Sequence, residues 1–403
     1  MQAVGVVVEH NPFHNGHRYH VEQSKKSTKA DVVIAVMSGT FLQRGEPALV
    51  DKWHRTKMAL ENGVDIVIEL PYVFSTARAE VFAKGAIHLL SAMKCHSFAF
   101  GSEDGTIEPF VNTYTLLQDY RDEYNTLIKY FVSKGNSYPK SLYEAYEQLK
   151  QKRPQIYIDL SLPNNILGFH YIEAVNAIKS DIKPITIQRI QAGYHETISS
   201  SSNIASATGI RKALFDDGSK LSDIKQYVPN ATFDQLQNWQ NTYHQFVHWE
   251  SFWPLLRFSI IRYSPKDLTQ FADVSEGIEY ALVKYAKSSN TFTEFMNLIK
   301  SKRYTWTRLQ RMLTHILTGI TKEQLHQFTL PTYIRLLGMT KLGQQYLGEK
   351  KKEFELPLIS RVGKVKNEMI TYDIRASEIY AQGVHLFSNK KIDGDFNTPP
   401  IRI

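Results

Sequence analysis

Residues 4–20 read VGVVVEHNPFHNGHRYH, and this stretch decides the fold. The apolar, β-branched run at residues 4–8 predicts a buried strand, and the polar stretch at residues 18–26 can form a helix. Between them lie three histidines, a proline that fixes φ and Gly16, which lets the backbone approach a ligand. A strand, a tight loop and a helix start place backbone N–H groups and the helix dipole against an anion. The stretch therefore predicts an anion-binding turn at the start of an α/β fold.

An H-x-G-H motif, residues 14–17, lies inside this loop. His14 and His17 are three residues apart, so at the first turn of a helix they share a face and can donate to polyphosphate oxygens. A histidine-rich surface loop or a fortuitous metal site is the alternative interpretation. The position of the motif directly after the first strand favours phosphate binding.

The first half of the chain alternates apolar runs with helix-compatible segments. Further strands are expected at residues 31–37, 65–70, 97–100 and 185–190, and helices at residues 52–62, 79–93 and 169–178. This alternation predicts an α/β fold, a doubly wound parallel (Rossmann-like) sheet whose ligand lies at the carboxyl ends of the strands. The loops expected on that edge are residues 10–17, 38–45 and 101–103, and further loops are expected at residues 193–196 and 199–203.

A second motif, Ser206-Ala207-Thr208-Gly209-Ile210-Arg211, opens another helix. Hydroxyl groups and free N–H groups at a helix N-terminus suit a terminal phosphate. A plain N-cap by Ser206 or Thr208 is the alternative. Its occurrence together with H-x-G-H, in one chain, favours phosphate binding.

The net charge of +8 is concentrated late in the chain. Residues 300–366 hold 14 Lys and Arg against four Glu, which suggests a polyanion such as RNA as partner. Within this segment residues 302–311 interleave basic and aromatic side chains, which can clamp phosphates and stack a base. An amphipathic helix with Tyr304 and Trp306 in the core is the alternative. The residues predicted to bind RNA are Lys302, Arg303, Arg308 and Arg311, with Lys152, Arg153 and Arg335 as further candidates.

After about residue 225 the β-α alternation stops. We expect a catalytic domain over residues 1–225, with residues 107–150 as a helical insertion or cap, and a mainly helical basic domain over residues 226–403. Within the second domain, helices are expected to about residue 345 and strands near 357–362 and 369–374.

The single cysteine, Cys95, excludes an intramolecular disulfide and suits a reducing compartment. The sequence has no secretory-signal pattern and no run of about 18 apolar residues. A cytoplasmic protein that does not enter a membrane is expected.

Taken together, these motifs resemble a known family. H-x-G-H after the first strand is typical of the nucleotidylyltransferase superfamily, and Ser206–Arg211 resembles its second motif, with Ala207 in place of a serine. The string VVEHNPFHNGHRYH at residues 7–20 and the basic string at residues 302–311 resemble the bacterial tRNA(Met) cytidine acetate ligase family.

The resemblance implies roles for individual residues. His14 and His17 are the expected catalytic pair. The residues expected to contact ATP are Val7, Val8, Glu9, His10, Asn11, Pro12, Phe13, His14, Asn15, Gly16, His17, Arg18, Tyr19, His20, Gly101, Asn164, Arg189, Ser206, Thr208 and Arg211. Mg²⁺ is expected as the phosphate counter-ion, and no protein metal site is expected.

Imidazoles, helix N-termini and arginine without an activated nucleophile suit direct attack of a substrate on the α-phosphate of ATP. A phosphomonoester as the attacking group would give a dinucleotide-type coenzyme, and a carboxylate would give an acyl-adenylate that an amine can intercept. An RNA-binding module with a degenerate nucleotide fold is a third, non-enzymatic hypothesis. The motifs leave the two reactions open. The family resemblance implies that acetate is activated and that the acetyl group passes to the N4 amine of the wobble cytidine of elongator tRNA(Met).

Overall fold

The computed structural model describes residues 1–189, 203–215 and 220–403. Within these residues one sheet of eight strands runs through the molecule. The strands are β1 (Ala3–Val8), β2 (Val32–Ser38), β3 (Ile66–Leu70), β4 (Ser97–Ser102), β5 (Lys183–Gln188), β6 (Ile334–Met339), β7 (Leu358–Ile359) and β8 (Ile401–Arg402).

Helices cover the sheet and form most of the rest of the described chain. The α-helices are α1 (Asn15–Thr28), α2 (Lys52–Leu60), α3 (Tyr72–Ser75), α4 (Ala79–Ala92), α5 (Glu108–Asp119), α6 (Arg121–Ser133), α7 (Tyr138–Lys150), α8 (Pro163–Ala177), α9 (Ala207–Phe215), α10 (Asn230–Tyr243), α11 (Trp253–Ile261), α12 (Pro265–Leu268), α13 (Ile278–Ser288), α14 (Phe292–Ile299), α15 (Trp306–Thr318), α16 (Lys322–His326), α17 (Lys341–Lys350) and α18 (Glu368–Ser388). Short 3₁₀ helices lie at Leu221–Tyr227, Trp249–Phe252 and Val362–Lys364.

The sheet confirms the predicted α/β fold with a doubly wound parallel core. Its order is β5-β4-β1-β2-β3-β6-β7, with β8 also paired to β6, and β1 to β5 are mutually parallel. The chain builds outward from β1 through β2 and β3, and then crosses to β4 on the other side of β1. The order therefore reverses between β1 and β4, and the loops after these two strands flank the crevice in which such sheets bind ligands.

Burial explains why the sequence signal was strong in the first strands. Every residue of β2 and β3 is buried, so both strands appear in the sequence as nearly continuous apolar runs. Close packing also fixes Gly5 in β1, since a Cβ there would lie 2.4 Å from a methyl carbon of Leu90 in α4. β1, the strand that leads into the H-x-G-H loop, therefore packs closely against α4.

Two expectations about the C-terminal half are wrong. Residues 334–339 were expected to be helical, but they form β6, which pairs antiparallel with β3. Residues 369–374 were expected to be a strand, but they belong to α18, where Asn367 caps the helix by accepting from the Ile370 N–H. The buried positions of α18 recur at helical spacing, and this pattern outweighs the local β propensity.

Strands of the sheet therefore come from both sides of residue 225. Residues 108–150 form α5, α6 and α7, and their role as a cap remains a prediction. The expected loops at residues 193–196 and 199–202 lie outside the described residues, as does residue 190 of the expected fifth strand.

Candidate active site

The loop between β1 and α1 turns sharply at a buried histidine. His10 has φ of 48°, in the left-handed region, and its ring packs edge-on against Phe13 with the centroids 4.5 Å apart. The Asn11–Pro12 peptide bond is cis, and the Asn11 side-chain oxygen accepts a hydrogen bond from the Leu49 N–H at 2.7 Å. These buried contacts hold the loop in the shape that presents the H-x-G-H residues.

His14 and His17 cap α1 reciprocally. His14 Nδ1 accepts from the Gly16 N–H at 3.0 Å, and His17 Nδ1 accepts from the His14 N–H at 3.3 Å. The two rings lie 3.7 Å apart, centroid to centroid. Because each Nδ1 accepts a hydrogen bond, each neutral ring carries its proton on Nε2. Two Nε2–H donors are thereby left for a ligand at the helix N-terminus.

Both rings are neutral near pH 7. Burial, and after it the nearby guanidinium groups of Arg189 and Arg211, lower the pKa of His14 to about 3. Burial also lowers the pKa of His17 well below its ordinary value. The histidines are therefore uncharged hydrogen-bond donors, and Arg189 and Arg211 are among the side chains that supply positive charge to the site.

The second motif faces the first across the site. Ser206 Oγ accepts from the Gly209 N–H at 3.1 Å, so Ser206 is the N-terminal cap of α9. Arg211, one turn into α9, donates to the Asn11 carbonyl oxygen at 2.9 Å and to Glu46 Oε2 at 3.0 Å. Arg211 thus connects the H-x-G-H loop to the loop after β2.

The far side of the site is built at the ends of β4 and β5. Arg189 donates to Asn164 Oδ1 at 3.1 Å, and Asn164 donates in turn to Glu103 Oε1 at 2.8 Å. A Cβ on Gly101 would lie 3.2 Å from the Cγ of Arg189. The missing side chain at residue 101 therefore lets Arg189 lie close over the end of β4.

These groups surround one cavity of about 460 Å³. The expected ATP contacts that line it are Val7, Val8, Glu9, His14, Gly16, His17, Tyr19, His20, Gly101, Asn164, Arg189, Ser206, Thr208 and Arg211. The structure brings together both motifs and the β4 and β5 ends, as expected for the carboxyl edge of a parallel sheet. Their contact with ATP remains a prediction.

The other expected ATP contacts do not line this cavity. His10, Asn11, Pro12 and Phe13 are buried in the loop. Asn15 donates to the backbone oxygens of Asn203 and Gln226, and Arg18 pairs on the surface with Glu22 at 2.8 Å. Their positions suggest that they shape and support the loop.

Sequence reasoning missed the contribution of the loop after β2. Gln43, Arg44 and Glu46 line the cavity, together with the aromatic side chains Phe82, Phe100 and Tyr171. The loop had been placed at the correct edge, but nothing in its polar sequence distinguishes residues that face a ligand from residues that face solvent.

The predicted RNA-binding string lies beside this loop. Lys302 and Arg303 are exposed, whereas Arg308 is partly buried with its Nε 3.6 Å from Asp273 Oδ1. Tyr304 is buried and donates to a backbone oxygen at 2.6 Å, so it is not placed to stack a base. RNA binding by the four basic residues remains a prediction.

Arg335, a further RNA-contact candidate, is buried in β6, so that expectation is wrong. Its NH2 lies 3.6 Å from a carboxylate oxygen of Asp395. Lys52 lies in the same buried cluster and bonds Glu69 Oε2 at 2.8 Å and Asp395 Oδ1 at 2.7 Å. These cations therefore neutralise interior carboxylates.

Among the described residues, no group of three or more His, Cys, Asp or Glu side chains could hold a metal ion. In the same part of the chain no helix is long and apolar enough to cross a membrane.

Comparison with known proteins agrees with this geometry. A family model described as HIGH Nucleotidyl Transferase matches residues 1–394, which defines the class of the fold and site. The tRNA(Met) cytidine acetate ligase of Lysinibacillus sphaericus is 62% identical over the full length of both chains, and that of Bacillus subtilis is 42% identical over 94% of this chain and 92% of its own. The crystal structure of Thermotoga maritima TmcAL bound with alpha-thio ATP matches with a TM-score of 0.89 and 31% identity, covering 100% of this chain and 99% of the other. The chain belongs to the tRNA(Met) cytidine acetate ligase family, which confirms the resemblance seen in its motifs.

Proposed function

We propose that this protein uses ATP to activate acetate as acetyl-adenylate and transfers the acetyl group to the N4 amine of the wobble cytidine of elongator tRNA(Met). The curated relatives carry the name of this activity, and one structural neighbour was crystallised with an ATP analogue. The observation that carries the proposal is the pair of neutral Nε2–H donors on His14 and His17, which face Arg189 and Arg211 across one cavity.

In the first step an acetate oxygen attacks the α-phosphorus of ATP, and the bond to pyrophosphate breaks. Arg189 and Arg211 neutralise the charge that builds on the phosphate oxygens, while His14 and His17 donate hydrogen bonds from Nε2. The N-termini of α1 and α9 add backbone N–H donors and favourable dipoles. All these groups are fixed before ATP arrives, so positioning and charge stabilisation supply the catalysis.

Without a ligand, Arg211 is paired with a carboxylate of the site. Its guanidinium bonds Glu46, so a phosphate at the N-terminus of α9 must compete with that carboxylate. Mg²⁺ bound with ATP would neutralise part of the phosphate charge.

In the second step the cytidine amine attacks the acetyl carbonyl carbon, and AMP leaves. We propose that the tRNA reaches the site across Lys302, Arg303, Arg308 and Arg311, because α15 packs against the loop that forms one wall of the cavity. We therefore also propose that the protein works in the cytoplasm, where tRNA is used.

The test is release of pyrophosphate from ATP in the presence of acetate, with nicotinate mononucleotide and phosphopantetheine as parallel substrates, each with and without bulk tRNA. The proposal expects acetate-dependent release and acetyl groups on the tRNA. Release that requires a phosphomonoester and ignores acetate would instead identify the alternative, an adenylyltransferase that makes a dinucleotide-type coenzyme.

A further inference from the structure

Glu9 directly follows β1 and lines the cavity. Its backbone oxygen accepts from Arg55 NH1 at 2.8 Å. Its Oε1 accepts from the Gln43 N–H at 2.8 Å. Glu9 is half-buried, and the cavity is the space that it lines. The carboxyl group is therefore held in one place, with acceptor capacity directed at a ligand.

Two carboxylates line the cavity among the described residues, and they differ in their partners. Glu46 is ion-paired with Arg211 at 3.0 Å. Glu9 has no cationic group within 4.0 Å in the described part of the chain, and its Oε1 accepts from the neutral Gln43 N–H. An ion pair makes a carboxylate less basic, and of these two carboxylates only Glu46 forms one among the described residues.

The electrostatic surroundings of Glu9 make it a better proton acceptor than an ordinary carboxylate. Burial raises the pKa of Glu9, as does the Glu46 carboxylate, whereas the Gln43 N–H and the charges of Arg44 and Arg211 lower it. Arg55 from α2 and Tyr171 from α8 also interact with its charge. A carboxylate is poorly suited to contact polyphosphate, because both are anions.

The position of Glu9 also connects it to the predicted tRNA surface. The loop that supplies Gln43 is held by α15: Thr314 Oγ1 donates to the Gly45 carbonyl oxygen at 2.7 Å. Gly45 has φ of 79°, and a Cβ there would lie 2.4 Å from the backbone nitrogen of Arg311. A single loop thus touches the basic helix on one side and orients the Glu9 carboxyl group on the other.

We propose that the Glu9 carboxylate receives the exocyclic amine of the target cytidine and removes its proton during acetyl transfer. The inference rests on the proposed function and assigns a catalytic residue to its second step. Glu and Asp accept hydrogen bonds from cytosine N4, whereas uracil presents a carbonyl oxygen at the same position and would be repelled.

The step balances without any further reactant. The N4 nitrogen forms a bond to the acetyl carbonyl carbon, and the bond from that carbon to the phosphate oxygen breaks. AMP leaves with the bonding electron pair, the amine proton passes to a Glu9 carboxylate oxygen, and Glu9 then releases it to water. General base catalysis of this kind contributes about 10²- to 10⁴-fold in rate.

The test is Glu9→Gln, which keeps an oxygen acceptor for the Gln43 N–H but cannot take up a proton. Two half-reactions are measured separately: acetate-dependent ATP–pyrophosphate exchange, and single-turnover transfer from synthetic acetyl-adenylate to elongator tRNA(Met). We expect exchange within about twofold of the unmodified protein and transfer reduced at least about 100-fold. The unmodified protein should transfer faster as pH rises towards the raised pKa of Glu9, and E9Q should lose that dependence.

Glu61→Gln, at the C-terminal cap of α2 and outside the cavity, is the matched control and should leave both half-reactions unchanged. Transfer by E9Q within about threefold, with an unaltered pH profile, would overturn the inference while the proposed function stands. An equal loss of exchange and transfer would overturn it too, because Glu9 would then serve ATP binding.

If E9Q does not fold, Glu9→Asp keeps a carboxylate one methylene shorter. It should retain exchange and the rise of the transfer rate with pH, while transferring more slowly. Loss of that pH dependence in E9D would count against the inference. Absence of acetate-dependent exchange in the unmodified protein would contradict the proposed function itself.

Discussion

Replacing Arg211 by alanine should slow adenylate formation far more than it destabilises the fold. In the free protein the Arg211 guanidinium donates at 2.9 Å to the Asn11 carbonyl oxygen and at 3.0 Å to Glu46 Oε2. Its side chain is 20% exposed and that of Glu46 is 27% exposed, so water can replace part of what is lost. We expect a stability loss of about 1–2 kcal/mol from these two bonds.

The effect on the reaction should be larger, because a preorganised charged donor acts on charge that develops in the transition state. Removal of one such donor costs about 3–4 kcal/mol, or roughly 10²- to 10³-fold in rate. Arg211→Lys keeps the charge but loses the planar fork that can bind two phosphate oxygens at once, so it should retain more activity than R211A but less than the unmodified protein.

The assay is acetate-dependent ATP–pyrophosphate exchange at saturating ATP, with urea unfolding measured on the same preparations. Lys212→Ala is the matched control, because Lys212 follows Arg211 directly within α9, carries the same charge, is exposed and does not line the cavity. Exchange by R211A within about threefold of the unmodified protein would refute the role given to Arg211. An equal loss in K212A would show that net charge, and not the position of the guanidinium, controls the reaction.

Three further predictions follow from the same structure. The pKa of His14 is lowered to about 3 and that of His315 to about 4, with burial as the main cause, so between these values and 6.5 the unfolded chain binds more protons than the folded protein. The stability that these histidines contribute should therefore be complete above pH 6.5 and fall by about 1.4 kcal/mol per pH unit for each histidine below it. Urea unfolding between pH 7.5 and 5 measures this change. Lys52→Met should cost about 3–5 kcal/mol, because Lys52 is 1% exposed and bonds two buried carboxylates, of which Glu69 would lose this ion pair and Asp395 would keep Arg335 at 3.6 Å. Reversing the charge of Lys302 and Arg303 to Glu should weaken tRNA binding and flatten its salt dependence in filter binding, while acetate-dependent exchange survives.

Each of these has an outcome that would count against it. An unfolding free energy that does not change between pH 6.5 and 5 would mean that the buried histidines take up protons without penalty. A loss below about 1 kcal/mol in K52M would show that the buried cluster relaxes around the missing charge. Unchanged tRNA affinity in the variant with both charges reversed would show that Lys302 and Arg303 do not bind tRNA.

The N-terminal half was predictable because its signals are local. β1, β2 and β3 are buried on both faces, so hydrophobic runs identify them without any knowledge of their partners. Because ligands bind at the carboxyl edge of such a sheet, loops that are far apart in sequence could be predicted to lie close together. H-x-G-H and the Ser206–Arg211 motif indeed face one cavity.

The C-terminal strand β6 was not predictable on the same grounds. It pairs with β3, and Gly338 in β6 leaves room for Thr56 and Leu60 of α2, since a Cβ would lie 2.8 and 2.9 Å from their side-chain carbons. These partners lie more than 250 residues away in sequence, and no local pattern encodes such a contact. The apolar residues of β6 are equally compatible with a short buried helix.

The roles of individual polar side chains were the least predictable. Arg335 and Lys302 are both basic residues in one segment, yet Arg335 neutralises a buried carboxylate and Lys302 is exposed at the surface. Glu9 was expected to contact ATP as part of a continuous string, and that contact remains a prediction; the sequence did not indicate that the Glu9 carboxyl group is bonded to the loop after β2. Charge and motif membership do not specify which way a side chain points, and only packing decides it.

The most direct test of the account is nucleoside mass spectrometry of elongator tRNA(Met) after incubation with the protein, ATP and isotope-labelled acetate. We expect ATP-dependent formation of labelled N4-acetylcytidine at the wobble position. R211A should fail to form this labelled nucleoside, whereas K212A should form it. Unmodified cytidine at that position, while ATP is still consumed with acetate present, would contradict the assignment of tRNA as the acetyl acceptor.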